Sequence, residues 1–328
     1  SWLLWQLTQE HVFKTDYSNA SRTQLMNLQT LGWDEELAEI FGIPMECLPQ
    51  ICDSDSVFGY TLMGGLFEKP VPICAVLGDS HAALFGQGCL LPGMSKATYG
   101  TGSSLMMNIG EKPIASSHGV VTSLAWKRRG RVEYVLEGNL NYTGAVITWL
   151  KEDMKLIQTA GETEELALSA NPADETYLVP AFTGLGAPYW DENARAAVIG
   201  MSRVTGKAEL VRAALDCIAY QITDLIMAME QDTGIPMKEL RVDGGPTRNR
   251  YLMQFQSDIS GKKLRIPAEE ELSGIGAAYM AGIAAGLYQE EVLFGRENGT
   301  EFIPEMDEMV RKQKQEGWKA AVAKVTAV

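Results

Sequence analysis

Twice in this chain a short apolar run stops at glycine and aspartate and gives way to a helical pattern. "VPICAVLGDS" (71–80) leads into "HAALFGQGCL", and "LRVDGG" (240–245) leads into "PTRNRYLMQFQSDISG". An apolar run bounded by turn residues suits a buried strand, and strands that alternate with helices build an α/β layered fold. The first run therefore predicts a strand that delivers Asp79 at its carboxyl end, where open α/β sheets place their ligands. On the residues alone Asp79 has two readings. It either caps the following helix through a backbone N–H or acts on a ligand.

The rest of the chain fits the same class. Two helical patterns flank the polar stretch "TDYSNASRT" near the amino terminus, and the turn "LPGM" (91–94) opens a second unit. That unit begins with strands in "SKATYGTGSSLMMNIG", "GVVTSLAWK" and "RVEYVLEGN". A long helix is predicted from about Lys207 to Gln231, because Leu210, Val211, Ala214, Ile218, Ile222, Leu225 and Met229 recur at three- and four-residue spacing. Further helices are expected at 274–287 and 306–325.

Charge narrows the partners. A net charge of −14 over 328 residues argues against nucleic acid or an anionic membrane as the main ligand, since phosphate backbones are bound by clustered Lys and Arg. The one dense basic run, "KRRGR" (127–131), reads as a solvated turn between two strands. Cys47, Cys52, Cys74, Cys89 and Cys217 are odd in number and form no C-x-x-C pair, as expected of reduced thiols in a cytoplasmic protein. The longest small and apolar run, 274–287, is too short for the roughly 20 residues of a membrane span. The amino terminus does not read as a signal peptide. His11, His81 and His118 are scattered, so local spacing builds no zinc site.

Two glycine-rich turns at strand ends can approach an anion closely or can be ordinary turns. They are "YGTGSS" (99–104), with Thr101 between two glycines, and "VDGGPTRN" (242–249), which would set helix N–H groups toward a nucleotide. "GMSRVTGKA" (200–208) departs from a Walker loop in spacing, and "GLGAPY" (184–189) lacks the last glycine of a dinucleotide fingerprint.

The ordered segments "GDSHAALFGQG", "YGTG", "LVPAFTGLGAPYWD", "AAVIGMSRVTGKAELVRAALD" and "VDGGPTRNRYLMQFQSD" together resemble the FGGY carbohydrate kinases, most closely the glycerol kinases among them. The resemblance implies two related actin-like domains with ribonuclease-H-like cores, with residues 1–88 ending the first, sugar-binding domain and 89–328 forming the second, nucleotide-binding one. It implies ATP and Mg2+ as cofactors and a small sugar or polyol as substrate, and it leaves a homo-oligomer open. Asp79 takes the position of the catalytic base, with Ser80 beside it against the substrate. Thr101, Gly144, Gly245 and Asn249 take nucleotide-contact positions. Metal-binding residues are not identified.

The chain departs from glycerol kinases in three places. Ser80 stands for a glutamine that bonds the polyol, Ser104 for a phenylalanine against the glycerol carbons, and Thr148 for a nucleotide-contact glutamine. Two serines make a roomier, more polar pocket, so a ketopentose such as xylulose or a sugar acid such as gluconate is expected ahead of glycerol. The family's opening D-x-G-T-T turn has no counterpart here, so these 328 residues alone are expected to show little or no kinase activity. An actin-like ATPase without a small-molecule substrate, or a non-catalytic partner subunit, remains the competing expectation.

Overall fold

The computed structural model describes residues 1–295 and 298–326. Its centre is a seven-stranded mixed sheet formed by β1 (Met94–Tyr99), β2 (Ser103–Gly110), β3 (Val121–Arg128), β4 (Arg131–Leu140), β5 (Glu239–Asp243), β6 (Lys263–Ile266) and β7 (Thr300–Phe302). The spatial order is β7-β6-β5-β1-β2-β4-β3, with β1, β5 and β6 mutually parallel and the other neighbours antiparallel. The basic run falls at the turn between β3 and β4, as its sequence predicts.

Alternation along these strands separates two layers. One face carries Ala97, Tyr99, Leu105, Met107, Leu136, Leu240 and Val242 into the larger core. Over that face lies the long helix, which joins a set numbered in chain order: α1 (Asp79–Gly86), α2 (Gly144–Glu152), α3 (Glu162–Ser169), α4 (Lys207–Thr233), α5 (Arg250–Ser260), α6 (Leu272–Ala284) and α7 (Glu308–Thr326). Helix α4 begins where Glu209 accepts the Gly206 N–H at 2.8 Å and ends at Gly234, whose φ of +65° suits glycine. The opposite face packs Met106, Val135 and Trp126 against Leu84 and Phe85 of α1 and Met280 of α6.

Helices α1 and α6 touch through backbone. A Cβ at Gly276 would lie 1.8 Å from the Ala82 carbonyl oxygen, so the small-residue texture of 274–287 serves close helix packing. Among the described residues no helix is long and apolar enough to cross a membrane. All five cysteines are free thiols.

One sequence expectation is corrected. The run 71–80 is not one buried strand: only Val71–Ile73 pairs, antiparallel to Gly59–Thr61, and residues 74–78 follow without a strand partner. Apolar composition alone did not reveal that the neighbouring segment supplies only three residues of ladder. Asp79 consequently stands at the start of a helix rather than at the end of a strand.

Candidate active site

Asp79 is the first residue of α1 and is exposed. Its Oδ1 accepts the Ser80 N–H at 2.6 Å, and a carboxylate in a first helical turn is favoured by the peptide dipoles. The N-cap is Gly78, which has no side chain to cap with, so Asp79 sits inside the helix rather than capping it.

What fixes this corner lies about 60 residues away in sequence. Asp16 is fully buried and accepts from Ser18 N at 2.9 Å, Ser18 Oγ at 2.7 Å, Asn19 N at 3.1 Å, Asn19 Nδ2 at 2.6 Å and Ser54 Oγ at 2.8 Å. Ser18 Oγ in turn accepts the Gly78 N–H at 2.8 Å. The polar stretch "TDYSNASRT" is therefore a short strand and helical turn whose aspartate anchors the residue before Asp79. The local signal was an Asx-type pattern; its distant partner left no mark in the sequence.

His81 is buried behind the same turn, with Nε2 3.4 Å from Ser123 Oγ. Burial pulls its pKa down to about 3, with lesser contributions from Arg22 and Lys96, so the ring is neutral at physiological pH. A Cβ at Gly78 would come within 2.9 Å of His81 Nδ1, so glycine is required there by space.

The second half of the site forms where two glycine turns and two helices meet. Residues 100–102 link β1 to β2, and the Gly100 carbonyl accepts the Gly144 N–H at 2.9 Å while Thr101 O accepts from Ala145 N at 3.0 Å. The hairpin therefore occupies the first turn of α2, leaving Thr101 exposed. A Cβ at Gly144 would lie 2.5 Å from Gly100 O, and one at Gly102 would lie 2.3 Å from Leu140 O. Gly244, at φ +99°, sits so close to β1 that a Cβ would fall 1.9 Å from Tyr99 O. Gly245, by contrast, has open space where its Cβ would be.

The second glycine turn does not present a helix end directly. A four-residue 3-10 turn, Gly245–Arg248, intervenes, and α5 begins only at Arg250. Asn249 accounts for the break: its Oδ1 accepts Leu252 N at 2.9 Å as the cap of α5, and its Nδ2 donates to Thr163 Oγ1 on α3 at 3.0 Å.

A cavity of about 570 Å³ opens here, lined among others by Gly144, Ile147, Thr148, Thr163, Gly245 and Asn249. It gathers three of the four sequence-predicted nucleotide positions, together with Thr148. Thr101 lies outside the lining, one hydrogen-bonded turn from Gly144. A larger cavity of about 610 Å³ between α3, α4 and α5 contains none of the predicted residues. Ser104 Oγ is buried without a hydrogen-bond partner among the described residues, and Ser80 is half-buried.

Comparison with known proteins agrees across nearly the whole length. Residues 1–86 match the N-terminal domain, and residues 95–285 the C-terminal domain, of the FGGY family of carbohydrate kinases. A glycerol kinase of Natranaerobius thermophilus is 45% identical over 323 residues, covering 98% of this chain and 65% of the relative. One from Brevibacillus brevis is 46% identical over 324 residues, with the same coverage. The chain thus spans about 65% of the length of these curated relatives. The crystal structure of Plasmodium falciparum glycerol kinase with ADP superposes with a TM-score of 0.92 at 35% identity, over 99% of this chain and 65% of that one. A ligand-bound xylulose kinase from Lactobacillus acidophilus gives 0.88 at 21% identity, covering all of this chain and 67% of that one, a likeness of fold alone.

Proposed function

The chain belongs to the FGGY family of carbohydrate kinases, and on that premise we propose that it carries the nucleotide site and the general base of an ATP-dependent kinase for a small polyol or sugar. The observation that supports this most is the cavity that brings Gly144 together with Gly245 and Asn249 from two segments about 100 residues apart in sequence. Adenosine would lie in that cavity, with its phosphates toward Thr101 at the exposed hairpin.

Asp79 would accept the proton of the substrate hydroxyl. As that proton leaves, the hydroxyl oxygen bonds to the γ-phosphorus and the bond from γ-phosphorus to the bridging oxygen breaks, releasing ADP. An exposed carboxylate in a first helical turn, anchored through Gly78, Ser18 and Asp16, is held in place for that step. The described residues contain no group of three acidic, histidine or cysteine side chains that could hold a metal ion. Mg2+, when bound with the nucleotide, would supply charge stabilisation at the transferring phosphoryl group.

Glycerol is the first substrate to test, since relatives about 45% identical carry that name. The second reading, a ketopentose or sugar acid, rests on Ser80 and Ser104, two small hydroxyl side chains where glycerol kinases carry a glutamine and a phenylalanine, and on the unpartnered Ser104 Oγ. The experiment is MgATP-dependent ADP release by the longest polypeptide the gene encodes, with glycerol, xylulose, ribulose and gluconate in parallel. Asp79→Asn should lower kcat at least about a hundredfold, the usual effect of a removed general base. Near-normal turnover by that variant would remove Asp79 from the role.

A further inference from the structure

The basic run "KRRGR" (127–131) takes no part in the kinase reading, yet only its far half is solvated. Arg129 and Arg131 keep 60% and 77% of their side chains exposed, whereas Lys127 and Arg128 keep 24% and 13%. A cation turned away from water needs partners, and both of these have them.

Lys127 grips the segment that sets the start of α1. Its Nζ lies 3.1 Å from Asp53 Oδ1, donates to Tyr17 Oη at 3.3 Å and stands 4.7 Å from the centre of the Tyr17 ring. Asp53 adjoins Ser54, and Tyr17 adjoins Asp16. Ser54 is fully buried: its N–H donates to the Lys127 carbonyl at 2.7 Å, its carbonyl accepts the Val76 N–H at 3.1 Å, and its Oγ donates to Asp16 Oδ2 at 2.8 Å. The stretch that no strand pairs is thus held by Ser54 at Val76 and by Ser18 at Gly78. Asp79 follows directly.

Arg128 braces the other end of the same helix. Its guanidinium carbon stands 5.2 Å from the centre of the buried Phe85 ring, and its two terminal nitrogens donate to the two oxygens of Glu290 at 2.5 and 3.0 Å. Such a two-point pair fixes the orientation of the guanidinium as well as its place. Glu290 opens a short helix, Glu290–Phe294, whose Phe294 ring meets Phe85 edge-on at 5.5 Å. Two neighbouring residues of one hairpin therefore hold α1 near its first residue and near its last.

We infer that Lys127 and Arg128 are positioning residues for phosphoryl transfer: they fix α1, and Asp79 with it, to the sheet that carries the Thr101 turn. Strands β3 and β4 lie beside β2 in that sheet, and Thr101 sits between β1 and β2. The base and the phosphate to be transferred belong to different segments, so the reaction rate depends on what sets their separation. This inference rests on the kinase reading.

The test combines steady-state kinetics and backbone hydrogen exchange on the longest polypeptide the gene encodes. Wild type is compared with Lys127→Met, Arg128→Met, the double variant and Arg131→Met. Lys127→Met should speed exchange in residues 77–80, and Arg128→Met in residues 82–86, each at least about threefold with α4 unchanged. The double variant should lower kcat at least about tenfold with the MgATP KM within about threefold, because none of the braced residues lines the 570 Å³ cavity. Arg131→Met removes a charge of the same hairpin whose pair with Glu111 is 4.0 Å long, and it should match wild type in both measurements. Lys127→Met should fold even if Arg128→Met does not, since both members of its ion pair are partly exposed. Its own kcat should fall at least about threefold.

Wild-type exchange at residues 77–80 in Lys127→Met overturns the inference. So does faster exchange there with kcat unchanged, because the hairpin would then hold α1 without positioning the base. Parallel losses in kcat and nucleotide affinity, or faster exchange throughout α4, would mark a merely structural pair and overturn it as well. No turnover by wild type with any substrate of the panel overturns the kinase reading, and exchange then still decides whether the hairpin holds α1.

Discussion

At the scale of single residues, the position of Asp79 depends on one hydroxyl. Ser18 is fully buried, accepts the Gly78 N–H and donates to Asp16, so it transmits the Asp16 anchor to the start of α1. Ser18→Ala removes both bonds and leaves a backbone N–H without its acceptor, at a stability cost of about 1–3 kcal/mol. Because a carboxylate displaced by a fraction of an ångström reacts more slowly, kcat should fall on the order of tenfold while the MgATP KM is unchanged. Steady-state kinetics beside a urea titration would check it; a variant destabilised as expected but with full kcat would show that the tether does not position Asp79. Asp79 was legible in the sequence because an acid among small and apolar residues invites a reason. Ser18 was not, because its chemistry lies in a hydrogen bond to a residue 60 positions away, and no local pattern encodes that.

At the scale of elements, the long helix α4 was predicted almost to its ends, since its apolar spacing runs from Leu210 to Met229, more than about five turns. The acids it buries were not. Asp224 faces the core, where its Oδ2 accepts from Tyr189 Oη at 2.8 Å and Trp318 Nε1 at 2.6 Å. Asp224 thus ties both α7 and the loop that failed as a dinucleotide fingerprint to α4. Burial raises the Asp224 pKa from 3.8 to about 6, against the lowering effect of the two donors. The folded state therefore holds this proton more tightly than the unfolded chain does. The contribution of Asp224 is most favourable below about pH 4 and declines as pH rises through 6. Asp224→Asn keeps an acceptor oxygen and never ionises, so its stability relative to wild type should grow by up to about 3 kcal/mol between pH 4 and 7. Asp216, also raised to about 6, titrates in both proteins and cancels in the difference. Urea midpoints at several pH values give the answer, and a difference that stays flat would mean Asp224 is not the burdened acid. The 71–80 run shows the opposite limit: its apolar character was read correctly, but strand length is set by the partner, and here the partner pairs with only three residues.

At the scale of the whole molecule, the cavity proposed for the nucleotide draws on segments around residues 144, 163 and 245, so neither glycine turn by itself could reveal it. The family resemblance supplied the missing long-range information, because the motifs were recognisable in order. Gly245 offers a clean test. Its Cβ position is open, unlike that of Gly244 or Gly144, so a larger side chain there can be accommodated by the fold and still project into the cavity. Gly144, Thr163, Gly245 and Asn249 all lie within these 328 residues, so the polypeptide itself should bind ADP. With a net charge of −14, it should do so more tightly when Mg2+ screens the phosphates. Phosphorylation is a different matter, since this chain spans about 65% of the length of relatives named glycerol kinase. Calorimetry on the 328-residue polypeptide should therefore show saturable ADP binding with little or no turnover. Gly245→Val should weaken that binding at least about tenfold, or 1.4 kcal/mol, with an unchanged melting temperature. Equal affinity in the variant would move the nucleotide out of this cavity, and the 610 Å³ cavity between α3, α4 and α5 would become the next place to look.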